Sequence, residues 1–214
     1  MTADEATVFA LAAAERRRAA DMFAGLSAEQ WATPSLCAGW TVRDIAGHLV
    51  GGLNLSLPRF VAGSLIWGGM HRYNARRSRQ IGRRPTAELV AMLRSRADEQ
   101  VSPPGTGPAA PLTDLAVHTR DAARPLGLAV TAAPDTWRVT LAFLTSPPGG
   151  RGFVPAGWLD GLRLTATDLD WAWGEGAEVA GTGESLALAL TGRLVALADL
   201  AGPGVAVLAG RAGR

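Results

Sequence analysis

The segment PSLCAGWTVRDIAGHLV, residues 34–50, contains the start of a helix and a histidine inside it. Thr41 followed three residues later by Asp44 is a capping-box pattern in its Asp variant, which predicts that a helix begins there. That helix is expected to continue until Pro58 kinks or ends it. His48 lies on this predicted helix, where its imidazole is a candidate metal ligand.

A second predicted helix supplies partners for this histidine in LTDLAVHTRD, residues 112–121, with Gly127 as its predicted C-cap. Asp114 and His118 are four residues apart, so their side chains share one helical face. With His48 they offer two imidazoles and one carboxylate, a set that zinc accepts while its fourth position stays open for water, thiolate or substrate. The spacing alone also fits a solvated Asp–His pair on an exposed helix.

The composition indicates a folded chain with few ways to build a metal cluster. At 214 residues, with 48% hydrophobic and 19% charged residues, the chain can bury one full core and a smaller second one. The single cysteine, Cys37, excludes an internal disulfide and a cysteine-based zinc cluster, so a metal must bind histidine and carboxylate. Because no histidine is near it in sequence, Cys37 is interpreted as a buried structural thiol.

Charge and hydropathy predict a cytoplasmic protein without membrane or nucleic-acid partners. No segment is apolar enough for a membrane span, and the N-terminus is acidic first and basic later, the reverse of a signal peptide. All 21 basic residues are Arg, yet the net charge is only +2. The basic stretch HRYNARRSRQIGRR, residues 71–84, has a single aromatic residue, which favours a solvated helix face with His71 at the surface.

Helical periodicity and turn residues divide the chain into two predicted domains. A helical domain at 1–145 is interrupted by the Pro-rich break at 101–111, and a second break at 146–157 precedes an α/β domain at 157–214. In the second domain GLRLTATD alternates like a strand, WAWG is a short second strand, and ESLALALTGRLVALADL is an apolar helix. Besides the helix of His48, the predicted helices cover residues 4–25, 69–81, 86–100, 112–126 and 134–145.

Three segments together resemble one known family in the correct order along nearly the whole chain. They are PSLCAGWTVRDIAGHLV, DLAVHTRDAARPLG (114–127) and TDLDWAWGEGAEVAGTGESLALALTGR (167–193), and the family is the mycothiol-dependent maleylpyruvate isomerases. The resemblance implies an α+β, predominantly α, fold: an N-terminal DinB-like four-helix bundle that binds metal, and a small C-terminal α/β domain similar to sterol carrier proteins. The family is found mainly in actinobacteria, which agrees with the lysine-free composition.

The resemblance also implies roles for individual residues. The family's metal ligands correspond to His48, Asp114 and His118, with the departure that Asp114 stands where the family usually has Glu. A family arginine that faces the active site corresponds to Arg193, which would then bind a substrate carboxylate. Without the resemblance, Arg193 is an ordinary arginine at the end of an apolar helix. Both interpretations of Arg193 stay open at this point.

The implied function is a metal-dependent and mycothiol-dependent isomerase or S-transferase. Zinc is the expected metal, mycothiol the expected thiol, and a small electrophile the expected substrate, with the protein acting as a monomer. The alternatives are a non-catalytic metal-binding relative of the DinB bundle and a hydrolase that uses metal-bound water. Trp40 is interpreted as a hydrophobic staple in preference to a residue that lines an apolar pocket, and Asp121 with Arg124 as a helical ion pair.

Overall fold

The computed structural model describes residues 3–53 and 57–212. The helices before the sheet are α1 (Glu5–Ala24), α2 (Ala28–Ala32), α3 (Val42–Gly52), α4 (Leu57–Ile66), α5 (Met70–Gly82), α6 (Thr86–Ser95), α7 (Ala109–Ala123), α8 (Pro134–Leu144) and α9 (Pro147–Gly152). The strands β1 (Leu162–Ala166), β2 (Ala172–Trp173) and β3 (Ala177–Gly181) follow, and then α10 (Gly183–Leu190) and α11 (Gly204–Ala212). Short 3-10 helices cover Arg124–Leu126 and Leu194–Asp199. The predicted α+β class with mainly helical content is confirmed.

The capping box predicted before His48 is present and fixes the start of α3. The Thr41 hydroxyl accepts a hydrogen bond from the Asp44 backbone N–H at 3.3 Å, and the Asp44 carboxylate accepts one from the Thr41 N–H at 2.9 Å. Ile45 and Leu49, one turn apart, are buried. The start of α3 and its buried face therefore follow from local sequence, as predicted.

The contact between α3 and α5 depends on a glycine. A β-carbon at Gly47 would meet the Ser78 carbonyl oxygen and would lie 2.7 Å from the Gly82 backbone nitrogen. Only hydrogen at this position allows the two backbones to approach so closely. The approach brings Ser78 of α5 next to His48, which follows Gly47 on α3.

Several predicted boundaries are wrong: the helix predicted at 86–100 ends at Ser95, and the apolar helix predicted from Glu184 ends at Leu190, with a separate 3-10 helix after it. The helix of His48 does not run to Pro58: α3 ends at Gly52, and Pro58 lies in the first turn of α4, where a missing N–H costs nothing. The break predicted at 146–157 contains the short helix α9, whose N-cap Ser146 accepts a hydrogen bond from the Gly149 N–H at 3.5 Å. A proline-rich segment was compatible with a helix because its prolines stand at the helix start.

Helix α7 begins inside the Pro-rich stretch and ends as predicted. It starts at Ala109, earlier than the predicted residue 112, and its last turn tightens into the 3-10 helix Arg124–Leu126. Gly127 follows with φ of 66°, the left-handed conformation that glycine adopts without strain, and its N–H donates to the Arg124 carbonyl oxygen. The predicted C-cap is confirmed.

The sheet has the strand order β2-β1-β3. β1 pairs antiparallel with β2 and parallel with β3, where Leu164 faces Val179 across the parallel ladder. Both side chains have no exposed surface and join Leu186 of α10 and Trp137 of α8 in one core. The two predicted strands are confirmed, whereas β3 and α11 had no clear signal in the sequence.

The described residues form two compact units. One comprises the described parts of 1–11, 102–117 and 131–214, and the core around the sheet belongs to it. The other comprises those of 12–101 and 118–130 and includes buried Phe23, Ile45 and Leu89. Among the described helices, none has both the length and the apolar character needed to cross a bilayer.

Candidate metal centre

The three side chains predicted as metal ligands come together. His48 on α3 and Asp114 and His118 on α7 each offer one ligand atom, and these atoms all lie within 4.8 Å of one another. All three residues are half-buried, and the two imidazole rings meet edge to face with centroids 4.6 Å apart. Because two ligands of one zinc ion lie about 3–4 Å apart, small side-chain adjustments suffice to close this group around a cation.

His48 is oriented by a neighbour on α5. Its Nδ1 lies 3.4 Å from the hydroxyl of Ser78, a residue that is only 2% exposed. The hydroxyl can accept from or donate to the ring, and in either case it occupies Nδ1. Nε2 is then the nitrogen that we assign to a metal.

His118 is oriented by a carboxylate on its own helix. Its Nδ1 lies 2.8 Å from Asp121 Oδ2, three residues further along α7, and Asp121 has no exposed surface. The same carboxylate oxygen accepts a hydrogen bond from the Cys37 thiol at 3.1 Å. A carboxylate behind a histidine is the usual outer-shell partner of a metal-bound imidazole.

Trp40 packs beside both imidazoles. Its ring lies nearly parallel to that of His118, with centroids 6.1 Å apart and an interplanar angle of 9°, and meets His48 edge on at 5.3 Å. The indole shields one side of the imidazole pair with apolar surface. This position beside the rings was not anticipated from the interpretation of Trp40 as a staple.

Sequence reasoning missed Cys37 and Asp121. Cys37 is half-buried, not buried, and its sulfur lies 3.6 Å from His118 Nδ1 although 81 residues separate the two in sequence. Asp121 was predicted to pair with Arg124, and that pair stays a prediction; what the sequence did not indicate is that the Asp121 carboxylate contacts His118 and Cys37. The three-residue spacing of His118 and Asp121 on one helical face was the signal available. No local pattern could have placed Cys37 there.

Arg193 lies beyond the helix to which it was assigned. α10 ends at Leu190 in a Schellman motif: Gly192 has φ of 85°, and the Arg193 N–H donates to the Leu188 carbonyl oxygen at 2.9 Å. The half-buried Arg193 guanidinium donates to the Thr191 carbonyl oxygen at 2.6 Å. A role for Arg193 in binding an anion stays a prediction.

His71 is exposed on α5, as expected.

The donor set of His48, Asp114 and His118 fits a borderline divalent cation. Two neutral imidazoles and one carboxylate cancel one charge and leave one on a divalent ion, so the bound ion attracts an anionic fourth ligand. Zinc, nickel and iron all accept this combination of nitrogen and oxygen. The burial of the oriented rings limits competition from bulk water.

The sequence and the fold both match known proteins. Residues 12–160 match the family model described as the mycothiol maleylpyruvate isomerase N-terminal domain. Two similar crystal structures are those of a mycothiol-dependent maleylpyruvate isomerase and of its variant with one histidine replaced by alanine, with TM-scores of 0.54 and 0.56. Both are 15% identical, and each match covers 90% of this chain and 92% of the other. No curated protein sequence matches this chain.

Proposed function

This chain belongs to the mycothiol maleylpyruvate isomerase family, and on that premise we propose that it is a metal-dependent enzyme that uses mycothiol. Its reaction is the isomerisation of a small electrophile or the transfer of the thiol to one. The observation that carries this proposal is the convergence of His48, Asp114 and His118 on one point. When bound there, a divalent ion lowers the pKa of a thiol and so supplies a thiolate nucleophile.

The residues of the chain provide orientation and shielding in this proposal. Ser78 and Asp121 hold the rings of His48 and His118 in fixed directions. Trp40 lies beside both rings and places apolar surface next to them. Asp114 is one methylene shorter than the usual Glu, so either the α7 backbone lies closer to the metal or the site binds metal more weakly.

Arg193 has a proposed role in binding substrate. A guanidinium binds carboxylate through two parallel hydrogen bonds, and maleylpyruvate and related electrophiles carry such groups. We propose that Arg193 holds an anionic group of the substrate or of the thiol. The partly buried position of the side chain supports this role, because shielding strengthens a charge-assisted contact.

Several broader features stay proposals as well. We propose a monomer in the cytoplasm that binds small molecules and no nucleic acid. We also propose that the functional domains follow the sequence division, with a DinB-like domain at 1–145 and a sterol-carrier-like domain at 157–214. Size-exclusion chromatography with light scattering tests the monomer directly.

The decisive experiment uses zinc-loaded protein with mycothiol and a panel of maleylpyruvate and simple alkylating electrophiles, with isomer and thiol adduct followed by mass. An isomerase returns the thiol unchanged, whereas a transferase leaves a carbon–sulfur bond in the product. Formation of either product only when both zinc and mycothiol are present supports the proposal. Absence of both products with fully loaded protein refutes the proposed thiol-dependent reactions, and cleavage of an ester supplied separately, without thiol, identifies a hydrolase.

A further inference from the structure

Asp121 and Cys37 form a polar cluster behind His118, on the side of its ring that carries Nδ1. The Asp121 Oδ2 atom lies 2.8 Å from His118 Nδ1 and 3.1 Å from Cys37 Sγ. We propose that Asp121, supported by the Cys37 thiol, is a positioning residue that keeps the proton of His118 on Nδ1 and leaves Nε2 for the metal. The inference rests on the metal site of the proposed function.

The burial of Asp121 determines which group donates. A carboxylate with no exposed surface must accept hydrogen bonds from nearby donors, because an unpaired buried charge is costly. Donors that face Oδ2 include the His118 ring and the Cys37 thiol. A neutral imidazole has one N–H, so donation from Nδ1 leaves the lone pair on Nε2. The carboxylate thereby selects the tautomer that binds metal.

Cys37, His118 and Asp121 could instead hold a second metal, because their ligand atoms also lie within 4.8 Å of one another. The distances argue against this alternative. Zinc bonds of about 2.1 Å to nitrogen and oxygen and about 2.3 Å to sulfur, at tetrahedral angles, separate nitrogen from oxygen by about 3.4 Å and sulfur from oxygen by about 3.6 Å. The observed 2.8 and 3.1 Å are hydrogen-bond distances.

The loop that carries Cys37 is itself anchored to α7. The Leu36 N–H donates to the Asp121 carbonyl oxygen at 3.1 Å, and the Ser35 hydroxyl accepts from the Cys37 N–H at 3.2 Å and donates to the Trp40 carbonyl oxygen at 3.0 Å. The thiol is therefore held in place to donate to Asp121. Because the thiol acts as a hydrogen-bond donor to Asp121, a serine at position 37 should preserve this function, whereas an alanine should lose it.

The first test is the 15N NMR spectrum of the histidine side chains in the wild-type protein without metal. His118→Ala identifies the His118 signals. A proton on His118 Nδ1 is expected, and a proton on Nε2 overturns the proposal whether or not any Asp121 variant folds. If zinc then fails to bind while the proton stays on Nδ1, the positioning contact is supported and the metal site of the proposed function is refuted.

The second test is zinc affinity, measured by competition with a chelator. Asp121→Asn should weaken binding by about 10- to 100-fold, whereas Asp98→Asn, at an exposed carboxylate paired with Arg17, should not. Cys37→Ser should bind as the wild type does and Cys37→Ala more weakly. Unchanged affinity in Asp121→Asn overturns the proposal.

Cobalt substitution distinguishes the outer shell from a second metal site. The chain has a single cysteine, so a thiolate-to-cobalt charge-transfer band can come only from Cys37. We expect no such band in protein loaded with cobalt. Its presence in the wild type and absence in Cys37→Ser would show that the thiol is a ligand and would overturn the proposal.

Discussion

At the scale of single residues, metal binding should depend on His118. We expect His118→Ala to abolish stoichiometric zinc binding and to leave the helices folded. The ring is partly exposed, so the substitution removes little of the buried core. The matched control is His71→Ala, which removes an exposed histidine on α5. Elemental analysis with circular dichroism checks both variants. Unchanged zinc content in His118→Ala would show that the ligand set is wrong.

Arg193 should matter for the reaction and not for the metal. Loss of one charge-assisted contact costs about 1.5–3 kcal/mol, so Arg193→Ala should lower kcat/KM by about 10- to 100-fold. Zinc content should stay at the wild-type level. Steady-state kinetics with the substrate found in the panel measures the effect, and Arg163→Ala, at an exposed residue of β1, is the control. Undiminished turnover would return Arg193 to its role at the helix end.

The residues of the site differ in how far sequence could predict them. Asp114 and His118 were predictable because a spacing of four residues puts both on one helical face. Cys37 was not, because its partners are 81 and 84 residues away and only the fold brings the loop before α3 to α7. A single cysteine forms no spacing pattern in the sequence from which its contacts in the fold could be predicted.

At the scale of elements, the packing of α3 on α5 should be sensitive to Gly47. A β-carbon there meets backbone atoms of α5, which cannot rotate away as a side chain can. We expect Gly47→Ala to destabilise the protein by about 1–3 kcal/mol in urea unfolding. Gly52→Ala is the matched control, because this exposed residue of the same helix has open space around it. Equal stability of the two variants would contradict the close approach.

Elements with strong local signals were predicted well and the others were not. The capping box of Thr41 and the C-cap at Gly127 depend on contacts within a few residues, so sequence specified them. β3 depends on pairing with β1, and its AEVAG sequence has little character of its own. α9 was missed because prolines at a helix start resemble a loop.

At the scale of the whole molecule, buried Glu15 should make stability depend on pH. Burial raises the pKa of Glu15 above its ordinary value of 4.5, and the ion pair with Arg18 offsets this only in part. Between the ordinary and the raised pKa the folded protein binds more protons than the unfolded chain does. The contribution of Glu15 to stability is therefore fully present below about pH 4.5 and is lost as the pH rises through the pKa of Glu15 in the folded protein.

We expect the free energy of unfolding of Glu15→Gln, relative to that of the wild type, to be higher at neutral pH than at pH 4.5. The buried glutamate must ionise at neutral pH, whereas glutamine stays uncharged at both pH values. The measurement is the free energy of urea unfolding of the variant and the wild type at the two pH values. Glu88→Gln, in a half-exposed pair with Arg84, is the control and should change stability by less than about 1 kcal/mol. An identical effect of Glu15→Gln at both pH values would contradict the raised pKa.

Helix α7 carries Asp114, His118 and Asp121 at intervals of four and three residues, so all three share one phase of the helix. Each inserted residue turns the following chain by about 100° and shifts it by about 1.5 Å. A single residue inserted directly after Asp114 would therefore move both His118 and Asp121 to a different face of the helix from Asp114. Loops on either side of α7 can change in length over evolution, but the seven-residue interval from Asp114 to Asp121 cannot.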